Sequence, residues 1–102
     1  GNPFLEKCQI RDGKGAGILV DNNGKGTIKE CTIFNNGLSG VEIRNDSNTV
    51  IRDCKINKNK EYAIYLHDGG IGTVENCDLT GNGKGAFHID ETSQAQRSGN
   101  QE

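Results

Sequence analysis

The regular spacing of the four cysteines is the feature that most restricts how this chain can fold. Cys8, Cys31, Cys54 and Cys77 follow one another at intervals of 23 residues. Evenly spaced residues over most of a chain indicate one structural unit that is stacked on copies of itself. A single unit of this kind cannot bury its apolar face alone, so the sequence predicts a repeat fold.

Apolar residues recur with the same period, and they alternate with polar residues. An alternation with a period of two sends every second side chain to the same face of a β-strand. No segment before residue 90 carries apolar residues at helical spacing, so we expect strands and no helix there. The equivalent apolar positions are Leu5, Ile28, Ile51 and Val74; Ile10, Ile33, Ile56 and Leu79; Ile18, Val41, Ile64 and Phe87; and Val20, Ile43, Leu66 and Ile89, with the small residues Gly17, Gly40, Ala63 and Ala86 before the last two sets.

Glycine, asparagine and aspartate lie between the predicted strands, where the chain has to turn. Glycine and asparagine tolerate positive φ, and asparagine and aspartate side chains bond to nearby backbone. Asn36, Asn59 and Asn82 are equivalent, so their amides can bond to each other and to the backbone of the next coil. The predicted turns contain Asp12 and Gly13, Asn35 and Asn36, Lys58 and Asn59, and Gly81 and Asn82 at one point of the repeat, and 22–24, 45–47 and 68–70 at another.

An all-β fold satisfies this pattern: a single-stranded parallel β-helix, or solenoid, of about four coils with 23 residues each. Each coil adds one strand to two or three parallel sheets, at about 4.8 Å per coil. Apolar residues and cysteines point inward, and the charged columns point outward. The charged columns hold Glu6, Lys29, Arg52 and Glu75, and Lys7, Glu30, Asp53 and Asn76.

The repeat covers residues 1–90, and we expect them to form one domain. Residues 91–102 depart from the pattern, because Arg97 and Asn100 stand where an apolar residue and a cysteine are expected. This segment is predicted to be a polar tail that serves as a flexible linker or as a cap over the last coil.

The cysteines are predicted to be reduced thiols in an inward column, where each acts as a small hydrophobic residue. A disulfide needs a specific Cβ geometry, which residues stacked directly in parallel strands meet poorly. A straight column also cannot wrap four ligands tetrahedrally around a zinc ion, so we expect no metal and no cofactor. Free thiols favour a reducing compartment such as the cytoplasm.

Charge and hydropathy narrow the classes of partner. The net charge is −2, and lysine and arginine are scattered among acidic residues. Nucleic-acid binding would require a basic stripe, so we do not expect it. The chain contains neither a secretory signal nor an apolar run of membrane-spanning length, so we expect no membrane partner. Because the chain begins within a coil and has no methionine, we expect a segment of a larger protein.

The repeat resembles that of right-handed parallel β-helix proteins of the pectate-lyase-like superfamily. The resemblance rests on residues 24–33, 35–37 and 40–43, and on the coil entries at 2–8 and 47–54. It implies a right-handed β-helix but no particular activity, because this fold hosts lyases, hydrolases, epimerases and inert scaffolds. It is most similar to accessory repeats in F-box adaptors and bacterial multidomain proteins, which bind protein or sugar and are not generally catalytic.

One outward patch carries residues that suit a binding site. It lies on the predicted strands that contain the apolar pairs Ile18 and Val20, Val41 and Ile43, Ile64 and Leu66, and Phe87 and Ile89. A histidine beside a carboxylate can act as a general base, and two histidines with an aspartate can hold a metal. We expect His67 to lie directly beneath Asp90 and diagonally near His88. The candidate ligand-binding residues are Glu42, Arg44, Tyr65, His67, His88 and Asp90.

These residues predict a non-catalytic scaffold that presents an elongated face to a protein or carbohydrate. No residue is assigned a catalytic role, because the short turns form none of the long loops with which catalytic relatives build a groove. One alternative is a carbohydrate-active enzyme that uses the same patch. The other is a structural module that assembles end to end through unpaired strands of its terminal coils.

Overall fold

The computed structural model describes residues 3–102, so the first two residues of the predicted domain, Gly1 and Asn2, lie outside the described part. Twelve β-strands and no helix occur in this part of the chain. The strands are β1 (Phe4–Glu6), β2 (Gln9–Arg11), β3 (Ile18–Val20), β4 (Lys25–Lys29), β5 (Thr32–Phe34), β6 (Val41–Ile43), β7 (Asn48–Arg52), β8 (Lys55–Asn57), β9 (Tyr62–Leu66), β10 (Ile71–Glu75), β11 (Gly85–Ile89) and β12 (Gln94–Ser98).

The strands form three parallel sheets that wrap around one core. Their orders are β1-β4-β7-β10-β12, β2-β5-β8 and β3-β6-β9-β11. Strand partners stand 23 residues apart in every sheet, as in the pairing of Ile28 with Ile51, of Ile33 with Ile56 and of Val41 with Ile64. The predicted all-β parallel solenoid of about four turns is therefore confirmed, with its repeat of 23 residues.

The core consists of the predicted inward columns. Its residues are fully buried in the middle coils and only half-buried at both ends, because a terminal coil has a neighbour on one side only. The buried apolar residues are Ile28, Cys31, Ile33, Val41, Ile43, Ile51, Cys54, Ile56, Ala63, Ile64, Leu66, Val74, Cys77 and Leu79, and the half-buried ones include Leu5, Cys8, Ile10, Ile18, Val20, Phe87 and Ile89.

All four cysteines are free thiols in one column. The Sγ of Cys54 lies 3.1 Å from the carbonyl oxygen of Arg52, to which it donates, and Cys77 bonds in the same way to Glu75. Burial raises the pKa of the Cys31 thiol, and the neighbouring Cys77 thiol together with burial raises that of Cys54. The thiols of Cys31 and Cys54 therefore remain protonated and serve as apolar packing groups.

Replacing Cys54 with serine is expected to cost about 1–3 kcal/mol of unfolding free energy, because a hydroxyl is then held among buried aliphatic groups. Cys8→Ser should cost clearly less, since Cys8 is half-buried in the first coil. Urea unfolding of the two variants measures the difference, and Cys54→Ala separates the effect of polarity from that of lost volume. Equal, negligible costs at both positions would contradict the inward assignment.

Three columns of turns connect the sheets, and two of them are the predicted ones. Positive φ angles occur at Asp12, Asn35, Lys58 and Gly81 in the first of these, and at Asn22, Asn45 and Asp68 in the second. The third column lies directly before the cysteines, in residues assigned above only to an outward charged column. It holds Lys7, Glu30, Asp53, Asn76 and Gly99, with φ between 54° and 67°.

The stacked asparagines form the expected hydrogen-bonded ladder. The Nδ2 atom of Asn36 donates to the Oδ1 atom of Asn59 at 3.0 Å, and Asn59 donates to Asn82 at the same distance. The Nδ2 atom of Asn59 also reaches the backbone carbonyl of Ile33, and its Oδ1 accepts the backbone N–H of Asn36. Each amide thus ties two coils together inside the protein.

The polar segment 91–102 continues the coil in the same register. Strand β12 pairs with β10, so Arg97 stands opposite Val74. The Arg97 guanidinium lies 5.0 Å from the centre of the Phe87 ring, and Asn100 accepts the backbone N–H of Cys77. The sequence pattern ends here, but the backbone ladder does not, and polar side chains cover the last apolar coil.

Candidate functional site

All six candidate residues lie on the outer surface of the sheet β3-β6-β9-β11, which we call the four-stranded face. Leu19, Glu42, Tyr65 and His88 are register partners across its four strands. The other three candidate residues come directly after strands of this sheet. Arg44 follows β6, His67 follows β9, and Asp90 follows β11.

Glu42 and His67 are in close contact on this face. The Nε2 atom of His67 lies 2.7 Å from Oε2 of Glu42, and both side chains are mostly buried, with 16% and 14% of their surface exposed. The other ring nitrogen, Nδ1, lies 3.0 Å from Oδ2 of Asp68. The imidazole is therefore held between two carboxylates, which come from the previous coil and from its own.

Arg44 is tied to acidic residues of two coils. Its Nη2 atom lies 3.0 Å from Oδ2 of Asp21, and its Nη1 atom lies 3.5 Å from Oε2 of Glu42. The hydrogen bond from Arg44 holds the pKa of Asp21 below its ordinary value and raises the pKa of Arg44 itself. Asp21 belongs to the same outward column as Arg44, but it is not among the candidate residues predicted from the sequence.

Asp90 follows His67 by one coil, but its carboxylate bonds to backbone and hydroxyl groups. Its Oδ2 atom accepts the backbone N–H of Asp68 at 3.0 Å, and its Oδ1 atom accepts from the backbone and hydroxyl of Thr92 and from the Ser93 hydroxyl. These hydrogen bonds, led by that of the Asp68 backbone, hold the pKa of Asp90 far below its ordinary value. Asp90 therefore closes a turn, as aspartate does locally.

Four rings form an aromatic cluster around Tyr65. The His67 ring stacks on Tyr65 with centroids 4.3 Å apart and an interplanar angle of 20°, and the His88 ring lies 4.9 Å away. Tyr62, which the sequence analysis missed, lies edge-on to His88 at 5.0 Å. Strict alternation along β9 would place Tyr62 on the inward face together with Ile64. Ala63 and Ile64 are both buried, however, so the alternation is interrupted between these two residues.

His67 is poorly placed to act as a general base. A histidine that acts as a general base needs one ring nitrogen within reach of the substrate, whereas both nitrogens of His67 contact carboxylates. Residues 3–102 contain no group of three histidine, cysteine or acidic side chains that could hold a metal ion. The same residues include no helix with the length and hydrophobicity that a membrane crossing requires.

The depressed pKa of Asp90 predicts a specific loss of stability in acid. A carboxylate whose pKa is lower in the folded protein than in the unfolded chain stabilises the fold above the unfolded value, here 3.8. This contribution disappears as the pH falls through the folded value. Asp90→Asn should therefore lower the melting temperature at pH 7, and the difference from the wild type should shrink below about pH 4.

Thermal melts at several pH values measure this difference. Asp46→Asn is the control, since it removes the same charge from the equivalent turn two coils earlier, where the described contacts include no hydrogen bond to the carboxylate. A destabilisation by Asp90→Asn that stays constant from pH 7 to pH 2 would contradict the assignment of Asp90.

Comparisons with known proteins identify the fold but no activity. A search of curated proteins finds no match, and a search of solved structures finds none either. The family model described as a right-handed β-helix region matches residues 1–101, nearly the whole chain. Together with the three parallel sheets and their 23-residue register, this match shows that the chain belongs to the right-handed β-helix family.

Proposed function

We propose that this β-helix domain is a non-catalytic scaffold that binds a protein or carbohydrate partner through its four-stranded face. The observation that carries the proposal is the aromatic cluster around Tyr65, flanked by the contact of His67 with Glu42 and by the ion pair of Arg44 with Asp21. Aromatic rings with polar groups at their edges are typical of surfaces that recognise proteins and sugars.

The face is pre-organised for binding. Its strands lie in a continuous parallel ladder, and the Glu42, Arg44 and His67 side chains are held by contacts to one another and to neighbouring residues. Side chains that are already ordered lose little conformational freedom when a partner arrives, so more of the contact energy appears as affinity. A rigid repeat surface therefore suits a scaffold role.

A glycan array and a pull-down of protein partners, each with purified domain, test the proposal. The wild type should retain a partner that Tyr65→Ala and His88→Ala lose. Lys55→Ala, on the exposed surface of the three-stranded sheet, is the matched control and should retain it. Turnover of an acidic polysaccharide that disappears with His67→Ala would overturn the proposal in favour of an enzyme. Partner binding that survives both face variants would overturn the choice of face.

End-to-end self-association is a second candidate function, favoured by the apolar surface of the first coil. Phe4 and Leu19 are 58% and 49% exposed, and an open pocket nearby is lined by Leu5, Ile18 and Val20. A sedimentation coefficient that rises with protein concentration in the wild type, but not in Phe4→Ser, would support this role. A single monomeric species at all concentrations would exclude it.

A further inference from the structure

We infer that the partner of the four-stranded face is a peptide segment rich in lysine or arginine, an inference that rests on the proposed function and makes its ligand specific. Among the side chains with described contacts on or beside this face, five are acidic and two are lysine or arginine. The acidic residues are Asp21, Glu42, Glu61, Asp68 and Asp90, and the basic ones are Arg44 and Lys84.

The two basic residues leave several carboxylates uncompensated. Arg44 contacts Asp21 and Glu42, and Lys84 reaches Glu61 at a loose 3.8 Å. Asp68 is 64% exposed, and its carboxylate contacts the His67 ring but no lysine or arginine within the described residues. The surface around the rings therefore attracts cations, and complementary charge speeds the encounter with them.

Two carboxylates border the aromatic cluster, because Glu42 and Asp68 each contact the His67 ring that stacks on Tyr65. After burial, the charges of Glu42, Asp90 and Asp68 are the main causes that raise the pKa of Tyr65, which places these acids within electrostatic range of its ring. An ammonium or guanidinium group is attracted both to the face of an aromatic ring and to a nearby carboxylate. One cation can therefore be held by both kinds of group at this point.

Tyr62 is the ring best placed to receive such a cation. It is tilted by 41° from Tyr65 and by 76° from His88, so neither ring stacks flat upon it. Tyr65, in contrast, already has His67 stacked in parallel against it. A sugar ring needs a broad open aromatic face, and the stacking on Tyr65 removes one. Point charges on a peptide require less ring surface, so the arrangement favours a basic peptide over a carbohydrate.

The spread of the carboxylates indicates an extended occupant. Asp21, Asp68 and Asp90 follow β3, β9 and β11, so the acids span the height of the sheet. Successive coils are about 4.8 Å apart, and side chains on the same side of an extended peptide repeat every ~7 Å. A single small cation would engage only one of these sites, whereas an extended peptide can engage several.

Fluorescence anisotropy with labelled synthetic peptides tests the inference. The probes are an eight-residue peptide of alternating lysine and glycine, its arginine counterpart, and a glutamate–glycine peptide. The wild type should bind the two basic peptides, with affinity that falls as salt is added, and not the acidic one. Glu61→Gln combined with Asp68→Asn should weaken binding about tenfold, as should Tyr62→Leu alone.

The matched control is Glu30→Gln combined with Asp53→Asn, which removes the same two charges from exposed turns outside the four-stranded face. It should bind like the wild type. Equal weakening by both double variants would mean non-specific attraction and would overturn the inference.

Failure of this inference can be told apart from failure of the proposed function. Suppose that a neutral protein or a glycan binds, that Tyr65→Ala abolishes this binding, and that the basic peptides do not bind. The scaffold role then stands, and the inference of a basic peptide as the ligand is wrong. If the basic peptides bind but no face variant weakens them, both the inference and the choice of face are wrong.

Discussion

Replacing Asn59 with alanine is expected to destabilise the protein by about 3–5 kcal/mol, because the change leaves several buried polar groups without partners. Asn59 is 2% exposed. Its Oδ1 atom accepts from the backbone and side chain of Asn36, and its Nδ2 atom donates to the carbonyl of Ile33. Each orphaned buried group costs about 1–3 kcal/mol, with incomplete additivity.

Asn82→Ala is the control for this prediction, since it removes the same amide from the next coil. Asn82 is only half-buried, so water can enter and bond to the groups that it leaves. We therefore expect Asn82→Ala to cost about 1–2 kcal/mol. Urea unfolding followed by circular dichroism measures both. If both variants cost the same small amount, the asparagine column does not tie the coils together as described.

Ile56→Ala is expected to cost about 3–4 kcal/mol, which is within the usual range for deleting the side chain of a buried isoleucine. Ile56 is completely buried and belongs to the column that holds Ile33 in the coil before and Leu79 in the coil after. Each coil of a repeat protein contacts only the coils before and after it, so the cavity left by Ile56→Ala is lined by residues of both neighbouring coils. Two coils therefore lose packing at once.

Ile10→Ala removes the same side chain from the first coil and should cost about 1–2 kcal/mol. Ile10 is half-buried and has only Ile33 as a register partner in the described residues. Denaturant midpoints with unchanged slopes would show that both changes act on the folded state. A larger cost at Ile10 than at Ile56 would contradict the stacking order.

The fold was predictable because every inward column repeats like residues. A 23-residue period in the cysteines and aliphatic residues admits few other arrangements, and the described strands pair in that register. The turn before each cysteine was missed because lysine and glutamate rarely adopt positive φ. The ladder holds Lys7 and Glu30 in that conformation through bonds from their own N–H groups to the next coil.

The contacts of the candidate site were harder to predict than its location. A comparison of whole columns pairs residues 23 apart, whereas His67 contacts Glu42, which is 25 residues away and therefore diagonal. Asp90 stands 23 residues after His67, but its carboxylate accepts hydrogen bonds from its own turn and from the backbone N–H of Asp68 in the preceding coil. Local hydrogen bonds of this kind are not visible in a column of residue types.

The central claim is that equivalent residues of successive coils lie side by side in parallel. Nuclear Overhauser effects between backbone protons of isotope-labelled protein measure this most directly. The account predicts contacts that link Ile28 to Ile51, Ile51 to Val74, and Val74 to Arg97, each within one residue of a separation of 23. Contacts typical of antiparallel strands, or separations that differ from 23 by more than one residue, would contradict it.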